Sequence, residues 1–347
     1  MQTADAQMLV LCTLARGPLH GYAINTAIQE LSGERLGRGS LSGALARLEA
    51  KNLIEPLDEP GRQRPLRLTA AGREVLEREL QSTARITQRM FEAAVPDRIG
   101  YQERLAAMDM TRSHKRIMLD ALALSPGHRA IDLGCGPGTD LAALAGAVTP
   151  AGSVLGVDSD PAMVERARAR SADLASVEVR QADVHDLPIP DASFDRAWTD
   201  RVLQHVQDPE RVLAEARRVL RPGGRLVVAE PDWESLVFDH PDAETSHAYT
   251  RHLVERVVRN ALVGRQCVRL AAQAGFEVST VVPMTHVMRQ AKEADQVLGL
   301  QRNAQRAAQA GYFGASAAQE WLDGLAEEPF FAAVTLYIVI AEVPRKQ

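Results

Sequence analysis

The chain has 347 residues, of which 46% are hydrophobic and 4% aromatic, and its formal net charge is −5 at pH 7. This length exceeds one typical domain, and the near balance of charge excludes a chain dominated by a basic nucleic-acid-binding surface. The cysteines, Cys12, Cys135 and Cys267, lack metal-ligand spacing, so we expect neither a disulfide framework nor a zinc site. With no apolar run of about 18 residues and no signal-peptide pattern, we expect a cytoplasmic protein that does not enter a membrane.

Residues 1–95 predict a small, mostly helical domain that contains one hairpin. Leu41, Leu45 and Leu48 recur at helical spacing, and a turn rich in proline, glycine and arginine separates two short apolar segments. We predict helices over residues 8–14, 22–31 and 40–51, strands at 53–54 and 66–68, and a long helix over 72–91. This order of elements is that of a winged helix.

Four motifs in this domain resemble the PadR family of transcriptional regulators. They are Gly17-Pro-Leu-His-Gly-Tyr22, Gly39-Ser-Leu41, Ala44-Leu-Ala-Arg-Leu-Glu49 and Leu68-Thr-Ala-Ala-Gly-Arg73. The chain departs from the family at Ser42 and Gly43 in the recognition helix and at Pro65 and Leu66 before the wing strand. The resemblance implies that the long helix joins two copies into a homodimer. Because residues 1–95 hold 12 basic and 11 acidic side chains, we expect dimerisation, with DNA binding as the alternative.

Residues 96–347 predict a second domain of the α/β class. Pro96 and Asp97 mark the junction, and an amphipathic helix follows over residues 101–124. Strand patterns then alternate with helical patterns, which is typical of a doubly wound, mostly parallel sheet that binds its ligand at the carboxyl ends of the strands. We predict strands at 130–133, 153–157, 176–180, 194–199, 220–229, 277–282 and 334–343, and a helical lid over 233–274.

The turn after the first of these strands holds Gly134, Gly136 and Gly138 around Cys135. Glycines have no Cβ atom, so a ligand can lie directly against the backbone. The spacing G-x-G-x-G differs from the G-x-G-x-x-G of dinucleotide-binding proteins, and Asp132 stands two residues before the first glycine. That carboxylate suits a cationic amino-acid moiety better than a pyrophosphate. The glycines alone fit an ordinary strand-to-helix turn equally well.

Carboxylates also follow the second and third strands. Asp158 lies 20 residues after Gly138, next to Ser159, where a carboxylate can accept hydrogen bonds from both ribose hydroxyls. Asp183 and Val184 follow the third strand. Acidic residues at consecutive strand ends predict a site for a nucleoside ligand.

With Val202-Leu-Gln-His-Val206 and Leu220-Arg-Pro-Gly-Gly-Arg-Leu-Val-Val-Ala229, these motifs resemble class I S-adenosylmethionine-dependent methyltransferases of the UbiE/MenG type. The resemblance implies a Rossmann-like sheet, S-adenosylmethionine as methyl donor and S-adenosylhomocysteine as product. It also implies that Asp183 reaches the adenine amino group and the backbone of Val184 the ring. The residues expected at the donor are Asp132, Gly134, Cys135, Gly136, Gly138, Asp158, Ser159, Asp183, Val184, Asp200 and Arg201.

The ends of strands four and five supply the candidates for chemistry. Methyl transfer from a sulfonium disperses positive charge, so positioning should dominate, and a base is needed only where the acceptor must lose a proton. The candidates for proton transfer are His205, Asp200 and Glu230. Candidates for acceptor contact are Tyr101, Asp232, Trp233, His240 and His286, with Lys115 as a further contact for donor or acceptor. The acidic residues lack a ligand set with metal-binding spacing, so no metal is expected.

Two functions of different classes follow. The first is an enzyme that methylates a small-molecule acceptor by in-line displacement while the winged helix holds a dimer together, and this is the function we favour. The second is a transcriptional regulator in which the methyltransferase fold senses the donor, its product or a metabolite and the winged helix binds DNA. The sequence leaves open whether oxygen, nitrogen, carbon or sulfur accepts the methyl group.

Overall fold

The computed structural model describes residues 6–32, 35–57, 64–79, 98–327 and 329–345. The chain divides into two compact units, Met1–Pro96 and Asp97–Gln347. Among the described residues, no helix is long and apolar enough to cross a membrane.

The N-terminal unit combines helices with a two-stranded hairpin. Its helices are α1 (Ala6–Leu14), α2 (Gly21–Ser32), α3 (Arg38–Ala50) and α4, which covers residues 70–79. Strands β1 (Ile54–Pro56) and β2 (Leu66–Leu68) pair antiparallel. The mostly α winged-helix fold expected from the sequence is confirmed. Of the long helix predicted over 72–91, residues 72–79 are helical and the rest lies outside the described residues.

Apolar side chains from α1, α2 and α3 form the core of this unit. Val10, Ile24 and Ile28 are completely buried, and Leu48 is 1% exposed. The hairpin closes this core from the side. Helix α4 comes closest to the chain before β1 at Gly72, where a Cβ atom would lie 2.0 Å from the carbonyl oxygen of Leu53. Packing therefore requires glycine in the Leu68–Arg73 motif.

The C-terminal unit is built on a seven-stranded sheet in the order β5-β4-β3-β6-β7-β9-β8. The strands are β3 (Arg129–Leu133), β4 (Ser153–Asp158), β5 (Val177–Gln181), β6 (Phe194–Asp200), β7 (Leu220–Phe238), β8 (Glu277–Met288) and β9 (Ala332–Glu342). Neighbouring strands pair in parallel from β5 to β7, and β9 is antiparallel to both β7 and β8. The predicted Rossmann-like, doubly wound sheet is confirmed.

Helices cover both faces of this sheet because its strand residues alternate between two apolar clusters. One cluster joins the sheet to α9 (Pro209–Val219) and α11 (Val263–Gln273). The other joins it to α6 (Asp109–Leu122), α7 (Leu141–Val148) and α8 (Pro161–Arg170). Helix α5 (Arg98–Ala107) precedes α6. These layers place the carboxyl ends of β3, β4, β5 and β6 at one edge.

The segment predicted as a helical lid over 233–274 is different in the structure. Residues up to Phe238 continue β7, because its backbone pairs with β9 as far as Ala332. A π-helical turn over Leu253–Val257 ends the first helix of the segment, so the apolar periodicity of the sequence spans a break. Helix α11 packs directly on the sheet: a Cβ at Gly264 would lie 2.7 Å from the backbone of β7 at Glu230.

The cover at this end of the sheet comes instead from four helices, which we call the cap. They are α10 (Ala243–His252), α12 (Ala291–Leu298), α13 (Leu300–Gln309) and α14 (Ala315–Ala326). Their apolar core joins Tyr249 and Trp321 to Leu236 and Met288 on the extended ends of β7 and β8. The sequence prediction missed α12, α13 and α14.

Candidate functional site

The three glycines of the loop after β3 serve two different purposes. Gly134, Gly136 and Gly138 have φ values of +75°, +52° and +74°, which L side chains rarely adopt. A Cβ at Gly134 would lie 2.5 Å from Cγ2 of Val202, and one at Gly138 would lie 3.0 Å from Ala167 of α8. A Cβ at Gly136 would meet nothing within 4 Å. Two of the glycines thus serve packing, and Gly136 presents bare backbone to open space.

Hydrogen bonds fix this loop to the end of β4. The amides of Gly134 and Cys135 donate to the carbonyl oxygen of Val157 at 2.8 and 2.9 Å. The Asp158 carboxylate accepts from the amide of Gly136 and from the amide of Asp160, both at 2.9 Å. Burial raises the pKa of Asp158. Each of its oxygens retains a second lone pair, so the carboxylate can hold the loop and still accept from a ligand hydroxyl.

The remaining residues expected around the nucleoside are more exposed. Ser159 is exposed, and its carbonyl oxygen accepts from Nε2 of Gln181 at 3.1 Å. Asp183 is also exposed and accepts from the amide and from Nδ1 of His185 at 2.9 and 2.6 Å. Val184 is buried in the apolar cluster beneath. The structure places all three after β4 and β5 as expected, with the Asp183 side chain bonded to His185.

Asp132 is the least satisfied group of the site. It is 2% exposed, and its Oδ2 atom has no hydrogen-bond partner among the described residues. Burial and neighbouring carboxylates raise its pKa well above the ordinary value, against the opposing charge of Lys115. These carboxylates are Asp140, Asp200 and Asp158. A cationic ligand group beside Asp132 would relieve both the missing hydrogen bond and the repulsion.

Asp200, at the end of β6, lies beside a histidine, a lysine and an arginine. Nε2 of His114 lies 3.1 Å from its Oδ2, Nζ of Lys115 lies 3.7 Å from the same oxygen, and Nε of Arg201 lies 3.4 Å from Oδ1. Burial alone would raise the pKa of Asp200, but these groups hold it far below its ordinary value. Lys115 also donates to Asp140 at 2.7 Å. Asp200 and Lys115 therefore lie close together at the end of β6.

His114 is a site residue that sequence reasoning missed. It lies on the buried face of α6 with Thr111, Met118 and Leu122. Its ring stacks on that of His286 from β8, with centroids 5.2 Å apart and planes 25° apart. Burial, His114 and Arg201 lower the pKa of His286 to about 4. The available signal was a polar residue at an apolar position of an amphipathic helix.

Tyr101 and His205 lie near Arg201, the residue after Asp200. Tyr101 donates to the carbonyl oxygen of Val297 in α12 at 3.4 Å, and burial raises its pKa. His205 keeps contact with solvent, yet desolvation by the protein atoms around it and nearby arginines lower its pKa to about 4. Tyr101 thus links α5 to the cap.

Glu230 occupies a different place from that expected of a proton-transfer residue. It is completely buried, and its two oxygens accept from the amides of Leu203 at 2.5 Å and Gln204 at 3.3 Å. Burial raises its pKa to about 8. We assign Glu230 the positioning of the chain after β6, because its oxygens are engaged by backbone.

Three predicted acceptor contacts are also engaged inside the protein. Asp232 is buried and paired with Arg265. The indole of Trp233 donates to Oε1 of Gln204 at 2.8 Å, which leaves it half-buried beside the chain after β6. His240 lies between β7 and α10, accepts from the amide of Asp242 at 3.0 Å and packs near Trp321 of the cap. His240 is therefore not among the side chains gathered around Asp200.

The C-terminal unit has the fold of class I methyltransferases and the N-terminal unit that of a PadR-like winged helix, and comparisons agree. A model described as "Methyltransferase domain" matches residues 131–228, and one described as "Transcriptional regulator PadR-like family" matches residues 10–78. A crystal structure of a candidate methyltransferase from Bacillus halodurans C-125 is 18% identical with a TM-score of 0.52, covering 67% of this chain and 99% of that one. At this identity the likeness shows the fold alone.

Among curated relatives, an uncharacterized 37.1 kDa protein in transposon Tn4556 of Streptomyces fradiae is 64% identical over 99% of both chains. This chain belongs to the family of that protein. The O-methyltransferase cnsE of Penicillium expansum is 36% identical over 51% of this chain and 63% of its own length. UbiE, the ubiquinone/menaquinone biosynthesis C-methyltransferase of Vibrio vulnificus, is 34% identical over 42% of this chain and 56% of its own length. The chain thus spans less than two thirds of these two methyltransferases.

Residues 131–228 form a methyltransferase domain, and the residues of the site fit S-adenosylmethionine as its methyl donor. Gly136 offers uncovered backbone, and Asp158 has lone pairs for ribose hydroxyls. The orphaned Oδ2 of Asp132 suits the ammonium of the methionine moiety. When bound, this cofactor supplies a methyl group on a positively charged sulfur.

Proposed function

We propose that this protein transfers a methyl group from S-adenosylmethionine to a small-molecule acceptor. One observation supports the proposal: the cap packs on the extended ends of β7 and β8, next to the edge of the sheet at which the donor would bind. Helix α10 and helices α12–α14 share a core with the extended ends of β7 and β8, and Tyr101 from α5 bonds to the last turn of α12. A wall of this kind favours an acceptor small enough to be enclosed over a macromolecular one.

Positioning is the main task of these residues in an in-line displacement. The glycine loop and Asp158 fix the nucleoside side, and Asp132 fixes the amino-acid side. Asp200, with Lys115 and Arg201 beside it, stands at the adjacent strand end, where an acceptor can approach. The test is incubation of the full chain with S-adenosylmethionine and pools of small molecules, read by mass spectrometry for products 14 Da heavier, a mass gain that reflects replacement of a hydrogen by a methyl group. Demethylated donor without any methylated product would count against a small acceptor.

For the N-terminal unit we infer a role in pairing two copies. Within the described residues, the wing arginine Arg67 lies 2.8 Å from Glu55, so part of the wing's positive charge is neutralised inside the hairpin. This supports dimerisation over phosphate binding. Light scattering of the full chain should give twice the mass of 37.8 kDa. A monomer at micromolar concentration would contradict the pairing role.

The PadR-like match favours a second candidate, a regulator whose methyltransferase unit senses the donor, its product or a metabolite. Such a regulator would bind an operator with an affinity that falls steeply as salt increases. Gel-shift selection with random duplexes distinguishes the two, because a dimerisation unit enriches no sequence.

A further inference from the structure

Two buried histidines lie face to face beside Asp200, at the end of β6. His114 of α6 has no exposed surface and His286 of β8 is 8% exposed, and their ring centroids are 5.2 Å apart. The function proposed above uses neither ring. Buried imidazoles are rarely left without a hydrogen-bonding task, so the pair calls for one.

The hydrogen bond to Asp200 fixes the state of His114. Nε2 of His114 lies 3.2 Å from Oδ1 and 3.1 Å from Oδ2 of a carboxylate that strong positive neighbours keep ionised. An ionised carboxylate only accepts, so Nε2 must carry the proton. In the neutral ring Nδ1 then holds a lone pair. This is the arrangement in which a buried aspartate orients an imidazole as a base.

The atoms opposite that hydrogen bond lack partners. Nδ1 of His114 and Nε2 of His286 have no hydrogen-bond partner among the described residues, and neither has the hydroxyl of Thr111, one helical turn before His114. All three residues are more than nine-tenths buried. Thr111 and His114 share the buried side of α6, and the ring of His286 stacks on His114, so unused hydrogen-bonding capacity lies close to Asp200.

The carboxylate that orients His114 is shared with two cations. Lys115 and Arg201 lie 3.7 and 3.4 Å from oxygens of Asp200, and the ring of His286 faces His114 from β8. An imidazole held by a carboxylate in this way can act as a proton acceptor.

We propose that His114, oriented by Asp200, is the base that takes the proton from the methyl acceptor, with His286 as a second hydrogen-bonding position for that acceptor. The inference rests on the proposed function and narrows it to acceptors whose nucleophilic oxygen or nitrogen carries a proton. The O–H or N–H bond of the acceptor breaks, and the proton goes to Nδ1 of His114. The electron pair of the acceptor forms the bond to the methyl carbon as the carbon–sulfur bond breaks, its pair remaining on sulfur.

The first test reads the protonation state of His114 directly. Nitrogen-15 NMR of the full chain labelled at histidine, with S-adenosylhomocysteine added, should show one neutral ring protonated at Nε2, absent in His114→Gln. Asp200→Asn should reverse that hydrogen bond and move the proton to Nδ1. If the ring whose signal is lost in His114→Gln is protonated at Nδ1, or is a permanent imidazolium, in the unmodified chain, the proposal is overturned.

The second test uses 4-nitrophenol, whose ionised form is coloured, as a stand-in acceptor. Below the solution pKa of the probe, the full chain with S-adenosylhomocysteine should increase the phenolate fraction several-fold. His114→Gln and Asp200→Asn should abolish that increase. His247→Gln, a matched change at an exposed histidine of α10, should keep it. No increase in the unmodified chain, or an equal increase in His114→Gln, overturns the proposal.

Calorimetry with S-adenosylhomocysteine distinguishes failure of the proposed function from failure of the role of His114. Failure of all variants and of the unmodified chain to bind it would remove the proposed function. Normal binding combined with either contrary result above would remove only the role of His114.

Discussion

The two halves of the candidate site differ in how the chain builds them. The donor half is local: Asp132, the glycine loop and Asp158 lie within 27 consecutive residues, on two neighbouring parallel strands. The acceptor half joins α6, β6, β8 and the cap, so His114 and His286 meet although they are far apart in the chain. Residue spacing in the sequence therefore indicates the donor half, whereas the acceptor half forms only when distant segments pack together on the sheet.

This difference explains what the sequence could predict. The glycine spacing and the acidic residues at strand ends indicated the donor residues and the parallel sheet, because each depends on a strand and the turn that follows it. The cap was missed in part because β7 runs past Asp232 to Phe238 and a π-helical turn interrupts the next helix. Neither feature has a period that a sequence pattern reveals.

Side-chain roles were harder to predict than positions. Glu230 stands at a strand end, as predicted, but accepts from the amides of Leu203 and Gln204. His205 was singled out by a local motif, whereas the buried histidine beside Asp200 is His114, from a helix that precedes the sheet. A motif fixes where a residue stands and leaves open which distant groups surround it.

The largest expected effect is a loss of stability from a change in the cap, with the affinity of the donor half unchanged. Trp321 is 1% exposed and its indole donates to Oγ of Ser246 at 2.9 Å. Trp321→Ala should lower the free energy of unfolding by about 3–5 kcal/mol, while the folded fraction keeps its affinity for S-adenosylhomocysteine. Urea unfolding and calorimetry provide the two readings. Gln319→Ala, at an exposed position of α14, is the control. A large loss of donor affinity in Trp321→Ala would show that the halves are not separable.

Within the donor half, the glycines should differ from one another. Gly134→Ala combines a left-handed backbone with a contact 2.5 Å from Val202, so we expect a loss of about 2–4 kcal/mol in unfolding free energy. Gly136→Ala has a similar backbone without the contact and should lose about 1–2 kcal/mol. Thermal unfolding measures both. Equal losses would mean that packing against Val202 contributes nothing.

A smaller effect is expected from Glu230, which positions the chain after β6. The pKa of Glu230 is about 8 in the folded chain, above its value of about 4.3 when unfolded. Between these values the folded state holds a proton that the unfolded state lacks, so stability falls as pH rises, by at most about 1.4 kcal/mol per pH unit. Glu230→Gln should flatten the change between pH 5.5 and 7.5, about the middle of that window.

Denaturant unfolding at the two pH values makes this comparison. Glu165→Gln, at an exposed position of α8, should leave the slope of the unmodified chain in place. A slope that is the same in Glu230→Gln and in the unmodified chain would mean that Glu230 is ionised throughout, and that its hydrogen bonds from the chain after β6 outweigh burial.

The central claim is that the glycine loop and its carboxylates hold S-adenosylmethionine, and calorimetric titration of the full chain with S-adenosylhomocysteine tests it most directly. We expect one site per chain with micromolar affinity. Asp158→Ala should weaken this affinity about 10- to 100-fold, because it removes a carboxylate that accepts charge-assisted hydrogen bonds. Asp173→Ala, an exposed carboxylate after α8, should bind as the unmodified chain does. Absence of binding, or equal affinity in Asp158→Ala, would contradict the claim.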